Sequence, residues 1–392
     1  MTRVVLSDRR MRHAAAVVAL SLMCCAPIGL ADALDDARGY WEQGELNSAG
    51  LVLKEHLRGS PQDVEARILL ARVYLDLYQG EAAERELRKA QSAGAPRGRI
   101  LEPWARALLL AGEYQRVLDE VAVAAVSTPA QTAVLAALRG DAERALDREE
   151  AALAEYERAL TLDPGQTDAL LGKARLALMD GRIDDARAFL EAATAAEPHA
   201  ARAWELLGEV DFARGDYAGA EQSLIKALIA GRNKWMPRFK RALARLELGE
   251  LDAAARDIDV VAETFPDSPG LFFARGALLL KQGELEAGVN ALDRYLDYDP
   301  DNLRALYLTA VGRAEQGNLD LAADLLQRYL KMMPESVQAK RAMAQVLLRQ
   351  RRPADAEALM RDALRAAPER PELLSALASA LVRQERWADA NE

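Results

Sequence analysis

The sequence of 392 residues predicts an all-α fold, an α-solenoid of helix–turn–helix units of about 34 residues each. Three features lead to this prediction: prolines, glycines and small residues each recur at one fixed step along the chain or at a multiple of it. The three series are Pro164, Pro198, Pro266, Pro300, Pro334 and Pro368; Gly181, Gly215, Gly249, Gly283 and Gly317; and Ala152, Ala186, Ala220, Ala254, Gly288, Ala322, Ala356 and Ala390. A period of this length is typical of proteins in which each unit packs only against its neighbours.

Each member of the period has a structural role in a pair of helices. Glycine ends the first helix of a unit, because it adopts the positive φ angle of a helix C-terminus. Small residues lie where two helices cross closely, and large apolar residues at helical spacing face the next helix. Proline stands where the second helix ends. Aromatic residues at the same period, such as Tyr40, Tyr295 and Tyr329, are therefore predicted to pack in the core.

The repeats are predicted to occupy residues 32–392 as one solenoid of about ten full units and a truncated eleventh that starts near Pro371. The order of residues in the second unit places Gly80 at the turn between its helices. Because the last unit stops within its second helix, we expect a longer array, or an open end covered by a partner or by a second copy.

The composition favours helix and argues against several classes of function. Ala, Leu, Arg and Glu dominate, and a net charge of −10 gives no general attraction to nucleic acid or anionic lipid. Both cysteines, Cys24 and Cys25, lie in the N-terminal apolar stretch. His56 and His199 fall in distant repeats, and sequence motifs for phosphate loops, nucleophile elbows and zinc hydrolases are absent. We therefore predict a non-catalytic protein without a cofactor or a metal, and with no nucleic-acid partner.

Residues 1–31 have the order of a secretory signal peptide. Four arginines precede an uncharged stretch from Ala14 to Ala31. The small residues Gly29 and Ala31 suit cleavage before Asp32, and a cut after Ala33 is nearly as favourable. This order predicts an exported protein that is periplasmic or associated with the cell envelope.

Two other interpretations of this stretch attach the chain to a membrane. An uncleaved anchor is opposed by Pro27 and Gly29 near the end of the stretch, whose length is marginal for a span. Lipidation of Cys25, as in an outer-membrane lipoprotein, is opposed by Cys24, because a small residue normally precedes a lipidated cysteine.

The period and the residue types resemble the tetratricopeptide repeat, a helix–turn–helix of about 34 residues. This resemblance implies a right-handed α-solenoid that binds proteins or peptides in a concave groove. Residues 37–121 also resemble the TPR-repeat lipoprotein of PEP-CTERM/exosortase systems, through the phrases Gly44–Ala49, Glu65–Ala71, Ala83–Leu87, Ala93–Arg97 and Ala105–Leu109. That resemblance implies a scaffold for other envelope proteins, in exopolysaccharide biosynthesis and export or in PEP-CTERM protein sorting. The alternative is a targeting or regulatory repeat region of a longer enzyme or of a secretion-machinery subunit.

The resemblance also implies where a partner would bind. In this repeat class the first helices line the groove, and their positions 2, 5, 9 and 12 point into it. The predicted groove residues are Arg202, Phe212, Met236, Phe239, Phe273, Arg304 and Tyr307. An exposed aromatic strip flanked by charges would suit an extended or helical ligand, whereas the alternative is packing against the adjacent helix. The basic residues between 232 and 241 are expected to contact an acidic partner or an acidic polymer.

Overall fold

The computed structural model describes residues 30–121, 128–366 and 368–391. All of the regular elements in these ranges are α-helices, and they follow one another as packed pairs. The predicted all-α solenoid of helix–turn–helix units is therefore confirmed.

The helices are distributed over two compact units, of which the first comprises residues up to Val210 together with Lys226–Lys234. The helices of the first unit are α1 (Leu30–Gln43), α2 (Leu46–Gly59), α3 (Val64–Asp76), α4 (Gly80–Ser92), α5 (Arg97–Leu110), α6 (Tyr114–Glu120), α7 (Pro129–Ala145), α8 (Glu149–Leu162), α9 (Thr167–Met179) and α10 (Ile183–Ala196). Two further helices, α11 (Ala201–Ala213) and α12 (Tyr217–Ala230), have residues in both units.

The second unit comprises Asp211–Ile225 and the residues from Trp235 onward. Its helices are α13 (Trp235–Leu248), α14 (Leu251–Thr264), α15 (Pro269–Gln282), α16 (Leu285–Tyr298), α17 (Leu303–Glu315), α18 (Leu319–Met332), α19 (Val337–Arg349), α20 (Pro353–Ala366), α21 (Pro371–Val382) and α22 (Trp387–Asn391). Within each unit the odd-numbered helices are the first helices of the repeats.

The small residues of the period lie in the core, as predicted. The alanines at this position, from Ala152 to Ala356, are fully buried. The ring of Tyr156 lies directly against the backbone of two glycines, Gly140 and Gly172. A Cβ atom added at Gly172 would lie 2.1 Å from Tyr156 Cζ, and one added at Gly140 would lie 2.6 Å from Cε1. Glycine is therefore required at both positions.

The turn between the two helices of a repeat needs a residue with positive φ. Gly283 has a φ of 85° at the end of α15, and its N–H donates to the Leu280 carbonyl. The prediction for the second repeat is wrong, because Tyr78 takes the left-handed position with a φ of 58° and Gly80 begins α4. Non-glycine residues hold this position in three other repeats as well: Asp147, Arg351 and Glu385.

The predicted packing of the aromatic residues is confirmed in part. Tyr295 and Tyr329 pack against a buried cluster that includes Leu292 and Leu306. Tyr40 differs, since 38% of its surface is exposed. The neighbouring residue Trp41 packs instead against the core of the first two repeats.

Candidate functional site

The predicted groove residues are distributed over the two units. Arg202 lies in the first unit, whereas Phe212, Met236, Phe239, Phe273, Arg304 and Tyr307 lie in the second.

Arg202 belongs to an ion-pair network that joins three first helices of the first unit. The Arg106 guanidinium of α5 donates to both carboxylate oxygens of Asp168 on α9, at 2.7 and 3.2 Å. Arg202 of α11 lies 3.5 Å from the same carboxylate. Burial acts to raise the pKa of Asp168, but the two arginines outweigh it and hold that pKa well below its usual range. The charges on this surface are therefore largely satisfied by one another.

Arg304 makes a similar set of contacts within the second unit. Its guanidinium lies over the rings of Phe212 and Phe273, 5.3 and 5.4 Å from their centroids, and donates to Glu247 of α13. Lys281 also approaches Glu247, at 3.9 Å. Arg304 is thus held by residues of its own unit.

The predicted exposed aromatic strip is wrong at its centre. Phe273 is 7% exposed and packs on Leu292 and Leu296, with its ring centroid 5.4 Å from that of Tyr295. Residues of α16 cover this ring, so the packing alternative holds there.

The remaining members of the strip are half-buried. The ring of Phe239 lies against Gly270, where an added Cβ atom would be 3.0 Å from its Cζ atom. The Tyr307 and Tyr329 rings pack edge to face at 6.3 Å. Met236 is also half-buried. Contact of these residues with a partner stays a prediction.

The basic stretch between residues 232 and 241 is not a free cationic patch. Arg241 donates to both oxygens of Asp257, at 2.6 and 2.9 Å, and Arg238 lies 3.8 Å from the same carboxylate. Arg232 stacks on Trp41. These three arginines already have partners within the chain, and contact of the stretch with an acidic partner or polymer stays a prediction.

The two histidines of the repeats have no common site. His56 is buried, and its Nε2 atom lies 2.8 Å from an oxygen of Asp63. The other oxygen of Asp63 accepts the N–H of Ala66 at the start of α3. No group of three metal-ligating side chains occurs in the part of the chain that the structure describes.

A cavity of about 670 Å³ lies along three first helices near the end of the second unit. It is formed by α17, α19 and α21, with one residue of α18 beneath them. The lining residues are Ala310, Val311, Ala314, Glu315, Leu326, Ala342, Gln345, Val346, Leu348, Arg349, Ser375, Ala378, Ser379, Val382 and Arg383. We refer to it as the α17–α21 groove.

Small side chains form much of the α17–α21 groove, and charged ones lie at one level along it. Ala310 and Ala378 occupy the same position in their repeats, so a ligand backbone can approach the helices closely. Glu315, Arg349 and Arg383 follow one another at the interval of one repeat, and all line the cavity. This volume and a mixed lining are typical of ligand sites in proteins.

The sequence prediction missed this groove because it sought large aromatic residues at groove positions. The sequence held two signals of the groove: the run of small residues in α21, and the charged residues at position 13 of the last three units, Glu315, Arg349 and Arg383. Alanine and serine by themselves do not distinguish a binding surface from a close helix crossing, so the signal was weak.

Several predictions concern residues for which the structure gives no account. Residues 1–29, which hold most of the proposed signal peptide and Cys25, lie outside the described ranges. Among the residues within those ranges, no helix combines the length and the apolar character needed to span a bilayer.

Family models match most of the repeat region. A model described as the tetratricopeptide repeat matches residues 40–102, 143–210, 177–246 and 313–380, and a second model of the same repeat matches residues 239–289 and 273–337. Together they cover well over half of the chain.

One curated relative shares part of this region. The heat-shock protein cognate co-chaperone sgt12 of Aspergillus fumigatus is 28% identical over 142 residues, which are 36% of this chain and 41% of the relative. The chain therefore spans less than half of that protein's length.

Solved structures align with the chain at low sequence identity. The APC/C hetero-tetramer Cut9–Hcn1 aligns with a TM-score of 0.51 and 15% identity, over 96% of this chain and 97% of that one. Yeast Tom70 gives a TM-score of 0.42 and 14% identity over 97% and 94% of the two chains. Pseudomonas aeruginosa pilF gives 0.45 and 19% over 54% and 97%. At such identities the first alignment shows the fold alone.

Proposed function

Because the chain belongs to the tetratricopeptide repeat family, we propose that it is a non-catalytic scaffold that binds a partner protein in the α17–α21 groove. The observation that carries this proposal is the cavity of about 670 Å³ along the three first helices. It combines small and apolar side chains with a few polar ones, as sites for peptide segments do.

The assignment is supported by charged side chains on other first helices, which are already paired within the chain. The Arg106–Asp168–Arg202 network occupies the first unit, and Arg304 occupies the middle of the second with its ring and carboxylate contacts. A ligand there would have to displace satisfied charges, which costs free energy. The α17–α21 groove requires no such exchange.

The test uses a groove-filling substitution, Ser379→Trp. Ser379 is exposed on α21, and among the described residues its hydroxyl bonds only to the Ser375 carbonyl of its own helix. The indole would therefore extend into the groove without disturbing the core. Gln327→Trp is the matched control, because Gln327 is exposed on α18 and does not line the cavity.

A photo-crosslinking amino acid at position 345, which lines the groove, would identify the partner in cells that express the full chain. Binding of that purified partner should be at least about tenfold weaker with Ser379→Trp and unchanged with Gln327→Trp, a difference of about 1.4 kcal/mol. Equal affinity of the two variants, both folded by circular dichroism, would contradict the proposed site.

We also propose that the scaffold acts in the bacterial cell envelope, in exopolysaccharide export or PEP-CTERM protein sorting. The signal-like order of residues 1–31 and the phrases between residues 37 and 121 support this location. Mass spectrometry of the protein recovered from cells tests it, since an exported and cleaved chain should begin at Asp32 or, after a cut behind Ala33, at Leu34. A chain that keeps its N-terminus and remains in the cytoplasm would contradict export, and an acylated Cys25 would favour the lipoprotein alternative.

A further inference from the structure

We propose that the α17–α21 groove selects an acidic segment of its partner, in which two Asp or Glu side chains pair with Arg349 and Arg383. The inference rests on the proposed function, because it assumes that this groove binds a polypeptide. It adds the chemical class of the ligand.

The first observation is that both arginines are available. Each is exposed and lines the groove. Within the described ranges neither guanidinium makes a hydrogen bond or an ion pair, whereas other arginines of the same repeats do. Arg352 pairs with Asp355 at 2.7 Å, and Arg386 pairs with Glu357 at 2.9 Å. Two neighbouring cations without counter-ions give the groove a local positive charge in a chain whose net charge is −10.

The second observation is the regular placement of the charges. Arg349 and Arg383 occupy the same position in adjacent repeats, Arg349 as the last residue of α19 and Arg383 directly after α21. Packed helices lie about 8–10 Å apart, which is the span of about three residues in an extended chain at about 3.3 Å per residue. Side chains two residues apart lie on the same face of an extended chain at about 7 Å, and the flexible arginine side chains can cover the remaining distance of about 1–3 Å. Two acidic side chains at this spacing can therefore reach both guanidinium groups.

The third observation indicates which side chains of the ligand lie over which helix. Glu315 occupies the equivalent position on α17, and it would repel a third carboxylate there. Val311, also on α17 and 37% exposed, lies beside the small residues of the groove. The ligand should accordingly place apolar side chains along α17 and its acidic residues over α19 and α21.

The test is selection of a display library of random peptides on the full chain. Peptides recovered on the wild type should be enriched in Asp and Glu, and Ser379→Trp should abolish their binding. The charge reversal Arg349→Glu/Arg383→Glu should weaken binding of the recovered peptides at least about tenfold. The matched control is Arg256→Glu/Lys331→Glu, which reverses two exposed cations on α14 and α18 that do not line the groove, and it should leave their affinity unchanged.

The outcomes separate this inference from the proposed function. Peptides that Ser379→Trp displaces, but that lack acidic residues and tolerate the charge reversal, would overturn the inference and leave the groove as a protein-binding site. If no recovered peptide depends on Ser379, the proposed site itself fails. Light scattering that shows a dimer lost in Ser379→Trp would assign the groove to a second copy, and would also overturn the inference.

Discussion

The Arg232 guanidinium lies over the Trp41 ring, with 3.8 Å between its central carbon and the ring centroid. Both residues belong to the first unit, and neighbouring contacts strengthen the link. Trp41 Nε1 donates to Asp76 Oδ2 at 2.7 Å, and Asn233 Nδ2 donates to the Asp76 carbonyl at 2.7 Å. An added Cβ atom at Gly44 would lie 2.8 Å from the Arg232 carbonyl oxygen, so glycine permits the approach. Residues 232–233 are thus bound to the turn of the first repeat.

Substitution of Trp41 should release this contact. We expect Trp41→Ala to lower the free energy of unfolding of the first unit by about 1–3 kcal/mol, because it removes a partly buried ring and the cation–π contact. Hydrogen exchange at residues 231–234 should become faster, while exchange in α9 and α10 should change little. Trp41→Phe keeps a ring under Arg232 and should lose less. Unchanged protection of residues 231–234 in Trp41→Ala would show that the contact does not hold this segment.

The Asp76 carboxyl makes the same contact dependent on pH. Burial raises its pKa above the ordinary value of 3.8, and this effect exceeds the opposing effects of the Trp41 hydrogen bond and the Arg232 charge. Between the ordinary and the raised pKa, the native state keeps a proton that the unfolded chain has lost. The stability of the first unit should therefore decrease as the pH rises through this window.

Asp76→Asn removes the titrating group and keeps an oxygen that can accept from Trp41. Urea unfolding of the wild type and this variant at several pH values should show a smaller loss with rising pH in the variant. At neutral pH the variant should be at least as stable as the wild type, because no buried charge has to be formed. A wild type whose stability rises through the same window because of Asp76 would reverse the sign of this prediction.

Asp168 should behave in the opposite way. Its pKa is depressed because Arg106 and Arg202 outweigh the effect of burial, so it contributes stability that is present above the ordinary pKa of 3.8 and is lost as the pH falls below it. Asp168→Asn leaves Arg106 without its main counter-ion and should cost about 2–3 kcal/mol at neutral pH.

The matched control for Asp168→Asn is Asp185→Asn. Asp185 lies on α10, and its carboxylate makes an exposed ion pair with Arg182, which directly precedes that helix. This substitution should cost about 0.5 kcal/mol or less, since surface pairs contribute little. Similar losses in the two variants, measured by urea unfolding at neutral pH, would show that the buried network does not stabilise the first unit.

The repeat period was sufficient to predict the helices, because each element depends on contacts with sequence neighbours. Ala152 and Ala186 were placed in the core from the period alone, and both are fully buried. What the period could not predict were contacts between residues that are distant in sequence. The Arg106–Asp168 pair skips a whole repeat, and the Arg232–Trp41 contact joins the first repeat to the sixth. Such contacts depend on the rotation accumulated over several repeats, which no local pattern encodes.

The candidate site illustrates the same limit. Phe273 was predicted to face a ligand because its position faces the groove in an average repeat. Here Arg304 and Tyr295 cover its ring, and a periodic pattern cannot show which side chains of neighbouring repeats fill the groove. Conversely, Ala378 and Ser379 look ordinary in the sequence, yet they leave the space that large residues fill elsewhere.

The turn of the tenth repeat should be improved by glycine. Arg351 is exposed and has a φ of 62°, a conformation that disfavours residues with a Cβ atom. We expect Arg351→Gly to raise the free energy of unfolding of the second unit by about 0.5–1 kcal/mol. The reason is that relief of about 1–2 kcal/mol of backbone strain exceeds the cost of the larger conformational entropy that glycine gives the unfolded chain. Gly283→Ala introduces the same conflict at a φ of 85° and should lower the stability by a similar amount. Both changes can be read from urea midpoints at constant m-value. A destabilised Arg351→Gly variant would mean that the Arg351 side chain contributes more to the turn than its backbone strain costs.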